Sequence, residues 1–311
     1  RVSRRGGGDV GPDLFSRQEG VKEDEMKNVV RTLIFDEQVS LTLLDSTRTV
    51  REAIRLHSLS RPSAVALGKA LSVMTFMSAS LKEEGHAISV SVRGNGEGGE
   101  ISVSGNGLLQ MRGYIGNPAV PEIPGETDAE AERRCIGTEG SLTVIRDDGY
   151  GRPFVGSCLL SPSGEADRSF EEYYRVSEQN PAYIASVVRF SGERLAFAGA
   201  AVLQPLPFAE ESVVKKLPRG AELAAIAEKI GELGPEKCAR DCFSANSAAF
   251  TEREAAYKCN CSREYLSGVL LSLGRAELED ILRTDGEIKV HCHYCNKDYR
   301  FTREDVEKLF P

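Results

Sequence analysis

Apolar and polar positions begin to alternate at Asn28. Val30-Arg31-Thr32-Leu33-Ile34 and Val39-Ser40-Leu41-Thr42-Leu43 follow the two-residue period of strands, with Asp36-Glu37 as the turn between them. Thr49-Val50-Arg51-Glu52 has the spacing of a capping box, which predicts a helix running from there to about His57. Arg61-Pro62 starts a second helix, because the fixed φ of proline suits a first turn. Its body, Ala64 to Leu81, is apolar nearly all round through Val65, Leu67, Leu71, Val73, Met74, Phe76 and Met77. A helix without a polar face belongs inside, with sheet packed around it.

Strand patterns then dominate. Ile88, Val90 and Val92 alternate with small polar residues, as do Ile101 and Val103, and Gly94-Asn95-Gly96-Glu97-Gly98-Gly99 makes the hairpin turn. Leu109 to Ile115, Leu142 to Ile145, Phe154 to Leu160, Ile184 to Phe190 and Leu195 to Leu203 read as further strands, and Phe170 to Ser177 as a helix. Pro118 to Pro124 and the acidic run after it read as a mobile loop. The expected fold is α+β: antiparallel sheets around a buried central helix over residues 26–207, then a helical connector and a small C-terminal module. Pro205-Leu206-Pro207 marks the first boundary, since successive prolines end strand pairing.

The connector, 208–256, places Leu223, Ile226, Ala227 and Ile230 at helical spacing, with Glu222, Glu228, Lys229 and Glu232 on the opposite face. That stripe requires a partner surface. Gly231 and Gly234-Pro235 close the helix. The final module, 257–311, should hold helices over Glu264 to Leu273 and Ala276 to Leu282, a strand around Ile288-Lys289-Val290, and a last helix from Arg303 to Phe310. Residues 1–25 are Gly- and Arg-rich without periodicity and read as a flexible leader. Its basic start is either an artificial or processing remnant or the stub of an organellar transit peptide.

The chemistry concentrates in the module. Of eight cysteines in 311 residues, four fall in two close pairs, Cys259-Asn260-Cys261 and Cys292-His293-Tyr294-Cys295. Such a quartet has two fates. Four thiolates about 2.3 Å from a tetrahedral Zn²⁺ close a structural site. Alternatively each pair oxidises to a disulfide with itself, since near neighbours can fall within the usual Cα separation of roughly 4.4–6.8 Å. A site able to do both is a candidate redox switch. Four free structural thiols, or another cofactor, are the competing readings. Lys258, Arg263, Lys297 and Arg300 lie close in sequence, and positive charge favours thiolate. A module of this size buries too little surface to be safe alone, so loss of its metal should loosen it and uncover apolar surface.

Other candidates are weaker. His291 and His293 fall opposite Cys292 on a strand and suit packing or solvent. Cys238 and Cys242 share a helix face, either as a second metal or redox pair or as incidental cysteines, and Cys135 and Cys158 read as small buried hydrophobes. The glycine run lies between strands with no Gly-Lys-Ser/Thr after it, so a turn is preferred to a phosphate loop. His57 and His86 stand alone, and no nucleophile–base or paired-carboxylate arrangement emerges: no enzyme active site is visible. The net charge of -8 argues against general nucleic-acid binding. The best apolar run, Leu71 to Leu81, is broken by serines and threonine and falls short of the ~20 residues of a membrane span.

Several stretches beyond the cysteines complete the picture: Val39 to Leu44 with Thr49-Val50-Arg51-Glu52-Ala53, Met111-Arg112-Gly113-Tyr114, Leu142 to Asp147, Tyr173 to Gln179, and Cys261-Ser262-Arg263-Glu264 through Leu271-Ser272-Leu273-Gly274. Over residues 26–311 the chain resembles the redox-regulated heat-shock chaperone family of about thirty-three kilodaltons, an ATP-independent holdase. The resemblance implies one zinc per chain in the reduced, inactive form, held by Cys259, Cys261, Cys292 and Cys295. It further implies that peroxide or hypochlorite, helped by heat, joins Cys259 to Cys261 and Cys292 to Cys295 and expels the metal. The connector then unfolds, the protein forms a homodimer, and exposed apolar surface captures unfolding client proteins. Cys238, Cys242 and the leader are additional to that pattern, so the expected cytoplasmic residence carries an organellar matrix or stroma as its alternative. A thiol–disulfide oxidoreductase using Cys292 and Cys295 is the competing function, tested by disulfide-reductase turnover. A zinc-stabilised adapter for nucleic acid or protein is the third, tested by salt-dependent binding of DNA or RNA.

Overall fold

A computed structural model of the chain describes residues 27–310; the leader expected over 1–25 lies outside them. Strands β1 (Val29–Ile34) and β2 (Val39–Asp45) form the expected hairpin, turned by Phe35, Asp36 and Glu37 at positive φ. Helix α1 (Thr47–His57) ends where expected but starts two residues early. Its first-turn amide at Thr47 donates to the Asp45 carboxylate at 2.8 Å, while the Thr49 hydroxyl is buried without a partner. The Thr49–Glu52 capping box is therefore not formed. In α2 (Arg61–Ala79) only Arg61 and Lys69 escape burial. Both turn to one neighbour, α3 (Asp128–Ile136), where Arg61 pairs with Asp128 at 2.8 Å and Lys69 with Glu132 at 2.7 Å.

Helix α3 occupies sequence read as loop. Thr127 and Glu130 form a reciprocal capping box, and Ala131, Cys135 and Ile136 are buried behind the charges that had masked the pattern. Strands β3 (Ala87–Gly94), β4 (Ile101–Asn106), β5 (Gln110–Ile115), β6 (Gly140–Asp147) and β7 (Phe154–Leu159) build one antiparallel sheet on α2. The glycine run is its β3–β4 hairpin. A Cβ at Gly96 would sit 2.4 Å from the Cys135 carbonyl, so the glycine serves close approach to α3. After α4 (Ala166–Val176), β8 (Tyr183–Ser191) and β9 (Arg194–Pro205) join the β1–β2 hairpin on the other side of α2. The central helix is thus enclosed by two sheets, as its all-round apolar surface demands.

The second sheet is apolar on both faces: Phe197 to Pro205 of β9 are all buried. Its outer face is covered by the connector, which supplies α5 (Glu211–Val214), α6 (Ala221–Leu233) and α7 (Pro235–Phe243). Leu223, Ala227 and Ile230 of α6 are fully buried with Leu41, Leu43, Phe197, Ala201 and Leu203, so the predicted stripe finds its partner. A Cβ at Gly231 would lie 2.9 Å from the Phe197 ring, so this glycine sets how closely α6 lies on the sheet.

The connector is not helical to its end. Strand β10 (Thr251–Arg253) pairs antiparallel with the edge of β1, and β11 (Ala256–Tyr257) pairs parallel with the edge of β5, completing sheets of five and six strands. Elements of two or three residues carry no periodicity; the edges they join define them. Beyond them come α8 (Arg263–Leu273), α9 (Arg275–Asp285), β12 (Ile288–Cys292), β13 (Lys297–Phe301) and α10 (Arg303–Leu309). They enclose a separate small cluster of buried side chains: Leu270, Leu278, Leu282, Ile288, Phe301 and Val306. Strand β13, which has no alternating apolar pattern, is legible only as the partner of β12.

Candidate metal centre

Cys292 ends β12 and Cys295 lies in the turn to β13, which is closed by the Asn296 amide donating to the Cys292 carbonyl at 2.8 Å, with Asn296 at positive φ. Cys259 and Cys261 lie between β11 and α8. The Ser262 hydroxyl accepts the Tyr265 amide at 3.1 Å, capping α8 and fixing the chain direction just after Cys261. The four Sγ atoms fall within 4.8 Å of one another. Cys261 and Cys295 approach to 3.2 Å and Cys259 and Cys292 to 3.7 Å. Sulfurs about 2.3 Å from a central ion define a tetrahedron with edges of about 3.8 Å, so the donor set and its size fit a four-thiolate metal site. Among the described residues this is the one group of three or more His, Cys, Asp or Glu side chains placed to share an ion.

The thiols are not equivalent. Burial pushes the Cys261 thiol up, but hydrogen bonds from Tyr299 Oη, at 3.3 Å, and from the neighbouring thiols outweigh it and bring it down to about 7. Burial raises Cys259 and takes Cys295 well above the usual thiol range. The activating group is a tyrosine that motif reading did not reveal. Two of the cations expected to do this are committed elsewhere: Arg263 pairs with Asp305 at 2.8 Å and lies over the Phe301 ring, and Arg300 pairs with Glu287 at 3.3 Å. Neither histidine joins the sulfurs. His291 Nδ1 meets the Asp298 carboxylate at 2.7 Å, and His293 packs on Tyr114 with ring centroids 5.4 Å apart.

A seam of aromatic and polar contacts joins the site to the sheet behind it. Tyr257 Oη, one residue past Ala256 on β11, lies within hydrogen-bond reach of the carbonyls of Gly113 (2.9 Å) and Tyr294, which share its single proton, and accepts the Gly113 amide at 3.2 Å. Tyr294 packs edge-on against Tyr114, lies under the Arg112 guanidinium and shares a hydrogen bond with Ser102. Asn296 Nδ2 donates to the Leu56 carbonyl at 3.0 Å, and His57 Nε2 lies 3.2 Å from the Tyr294 carbonyl. His57, solitary in sequence, thus belongs to this seam. These residues look unremarkable in sequence because they act on a surface supplied by a distant segment.

The remaining cysteines stand apart. Cys238 and Cys242 lie with their sulfurs 3.9 Å apart against the outer sheet face, and burial pushes Cys238 up to about 12. Burial likewise raises Cys135 to about 12 and Cys158 to about 11, which suits inert packing groups. No helix among the described residues is long and apolar enough to cross a membrane.

Comparison with known proteins follows the same lines. A family model described as Hsp33 protein matches residues 27–302. The 33 kDa chaperonin of Bacillus cytotoxicus is 34% identical over 287 residues, covering 90% of this chain and 97% of that protein. The 33 kDa chaperonin of Bacillus cereus matches with the same identity and coverage. Among solved structures, the crystal structure of the 33 kDa chaperonin (heat shock protein 33 homolog) from Thermotoga maritima superposes with a TM-score of 0.77 at 29% identity, covering 91% of this chain and 97% of that one.

Proposed function

Because the chain belongs to the Hsp33 family of heat-shock chaperones, we propose that it is an ATP-independent holdase switched on by oxidation of Cys259, Cys261, Cys292 and Cys295. The observation that carries the reading is the convergence of these four sulfurs within 4.8 Å from two segments that share only a small buried core. Held by the quartet, one Zn²⁺ per chain would keep the thiolates together and add apparent folding free energy of about 10–16 kcal/mol. In this reading residues 26–207 form the client-binding core, 208–256 the connector and 257–311 the switch module.

Two peroxide molecules accept four electrons from four thiolates, take up four protons and leave as four waters, while two S–S bonds form and the sulfurs cease to be ligands. In the resting fold the closest approaches cross between the segments, yet a Cys259–Cys292 or Cys261–Cys295 bond would staple the module shut. Joining Cys259 to Cys261 and Cys292 to Cys295 leaves no sulfur or metal tie between the segments, only the weaker hydrogen bonds of the seam, so the local pairing is the one that opens the structure. With that tie gone, the hold of α6 on the outer sheet face weakens, and Leu41, Leu43, Phe197 and Leu203 become available to unfolding clients. The oxidised protein pairs as a homodimer through such surface. Residence is cytoplasmic, with an organellar matrix or stroma as the alternative.

The oxidoreductase reading finds less support. Cys292 and Cys295 sit at the end of a strand and in a β-turn, rather than at the start of a helix after a parallel strand. The test follows light scattering of heat-unfolded citrate synthase with reduced and peroxide-treated protein, alongside metal and thiol titration. Suppression by the oxidised form alone, with one zinc lost as four thiols disappear, is expected. Equal suppression by both forms, or a reduced protein without metal, overturns the proposal.

A further inference from the structure

The outer edge of β5 is filled by a surrogate. The Leu109 carbonyl accepts the Ala256 amide at 3.0 Å, the Met111 carbonyl accepts the Lys258 amide at 2.8 Å, and both the amide and carbonyl of Gly113 meet Tyr257 Oη. The Leu109 carbonyl and the main-chain groups of the alternate residues Met111 and Gly113 thus face this edge, as strand geometry requires, while the Leu109 amide is held by the Asn106 carbonyl at 3.0 Å. The segment occupying it is a ladder of two residues, too short to hold by itself. It is tied at one end by Asn28, whose side chain exchanges two hydrogen bonds with Ala255, and continues at the other, one residue past Lys258, into Cys259. Above the same edge, Tyr294 rests between the Tyr114 ring and the Arg112 guanidinium.

We propose that β5 is a docking strand for clients, and that residues 255–258 with Tyr294 are its internal occupant in the resting protein. This rests on the switch reading above. Once Cys259 and Cys295 no longer hold them, the occupant leaves, and Leu109, Met111 and Gly113 present unpaired main-chain donors and acceptors beside an aromatic ring and a guanidinium. An exposed edge of this kind recruits another extended chain. Its ligand is therefore an extended segment of an unfolding polypeptide, adding as a strand in the place of β11 with an aromatic side chain in the seat of Tyr294. Main-chain pairing supplies the affinity and makes recognition tolerant of sequence, while the aromatic seat adds a preference. Both features suit a protein that must bind unfolded chains of many kinds.

Hydrogen–deuterium exchange of the full chain tests the assignment, read on peptides covering Leu109–Ile115 in reduced protein, oxidised protein, and oxidised protein with heat-unfolded citrate synthase. Protection in the first, its loss in the second and its return in the third are expected, with the already open edge strand β7 as the control. Oxidised protein that suppresses aggregation while Leu109–Ile115 keeps its resting protection, or fails to regain it with client, overturns the docking strand but leaves the chaperone reading standing. Protection that returns without client as protein concentration rises assigns the edge to a second copy of the chain and overturns the client assignment. Oxidised protein that holds no client at all overturns both.

Discussion

Replacing Tyr257 by Phe removes one hydroxyl and keeps the ring. In the native seam that hydroxyl serves the Gly113 amide at 3.2 Å, the Gly113 carbonyl at 2.9 Å and the Tyr294 carbonyl. The Tyr294 carbonyl retains His57 nearby, so the loss falls on Gly113, a buried residue whose two main-chain groups lose their partner. Orphaning such buried groups costs about 1–3 kcal/mol, so the middle of that range, about 2 kcal/mol, is the expected loss. The open state of the seam should then become roughly thirtyfold more populated, at 1.4 kcal/mol per factor of ten. If the sulfurs are oxidised from that open state, metal release to a chromogenic chelator at fixed peroxide should accelerate by a comparable factor. The reduced protein should also lose part of the exchange protection of Leu109–Ile115. A variant that releases metal at the wild-type rate with unchanged protection would refute the claim that this seam holds the switch closed.

Peptide mapping of fully oxidised protein should recover Cys259–Cys261 and Cys292–Cys295; a majority of bonds crossing between the two segments would contradict the opening mechanism. Alanine at both Cys238 and Cys242 should leave metal content and the loss of four thiols unaltered, at a stability cost of about 1 kcal/mol in urea titration, since both lie in apolar packing. Lys69→Met should cost the reduced protein about 3–5 kcal/mol in urea, because it leaves Glu132 buried and unpaired. Adding Glu132→Leu should recover much of that, though not all, since Glu132 also accepts the Ala166 amide at 2.8 Å. Burial opposes the charge on Lys69, but Asp167 and Glu132 more than offset it, so its ammonium persists well above the usual lysine range. The Lys69 contribution is therefore complete below the unfolded-chain value of about 10.4 and lost as pH rises beyond it, while burial raises the Glu132 carboxyl, so the charged pair is also lost towards acid pH. Urea midpoints should fall above that pH in the wild type, and less steeply in the double variant.

The sequence by itself determined the features that depend on neighbouring residues. Alternation placed most strands of both large sheets, the unbroken apolar surface of α2 required a fully buried helix, and two close cysteine pairs marked the candidate metal centre. Where a local pattern was ambiguous, the reading failed in a consistent way. The spacing of Thr49 and Glu52 imitated a cap that Asp45 provides, and the charges of α3 looked like loop until Lys69 and Arg61 gave Glu132 and Asp128 their partners. Only the tertiary structure decided which surface receives the stripe of α6 and that residues 251–257 bridge the edges of both sheets. It also brought Tyr299 and Tyr257, distant from each other in sequence, to the cysteines and the seam. The physical reason is that periodicity and capping are properties of one segment, whereas an edge pairing, a buried ion pair or a lowered thiol pKa belongs to two segments at once and exists only when the fold brings them together.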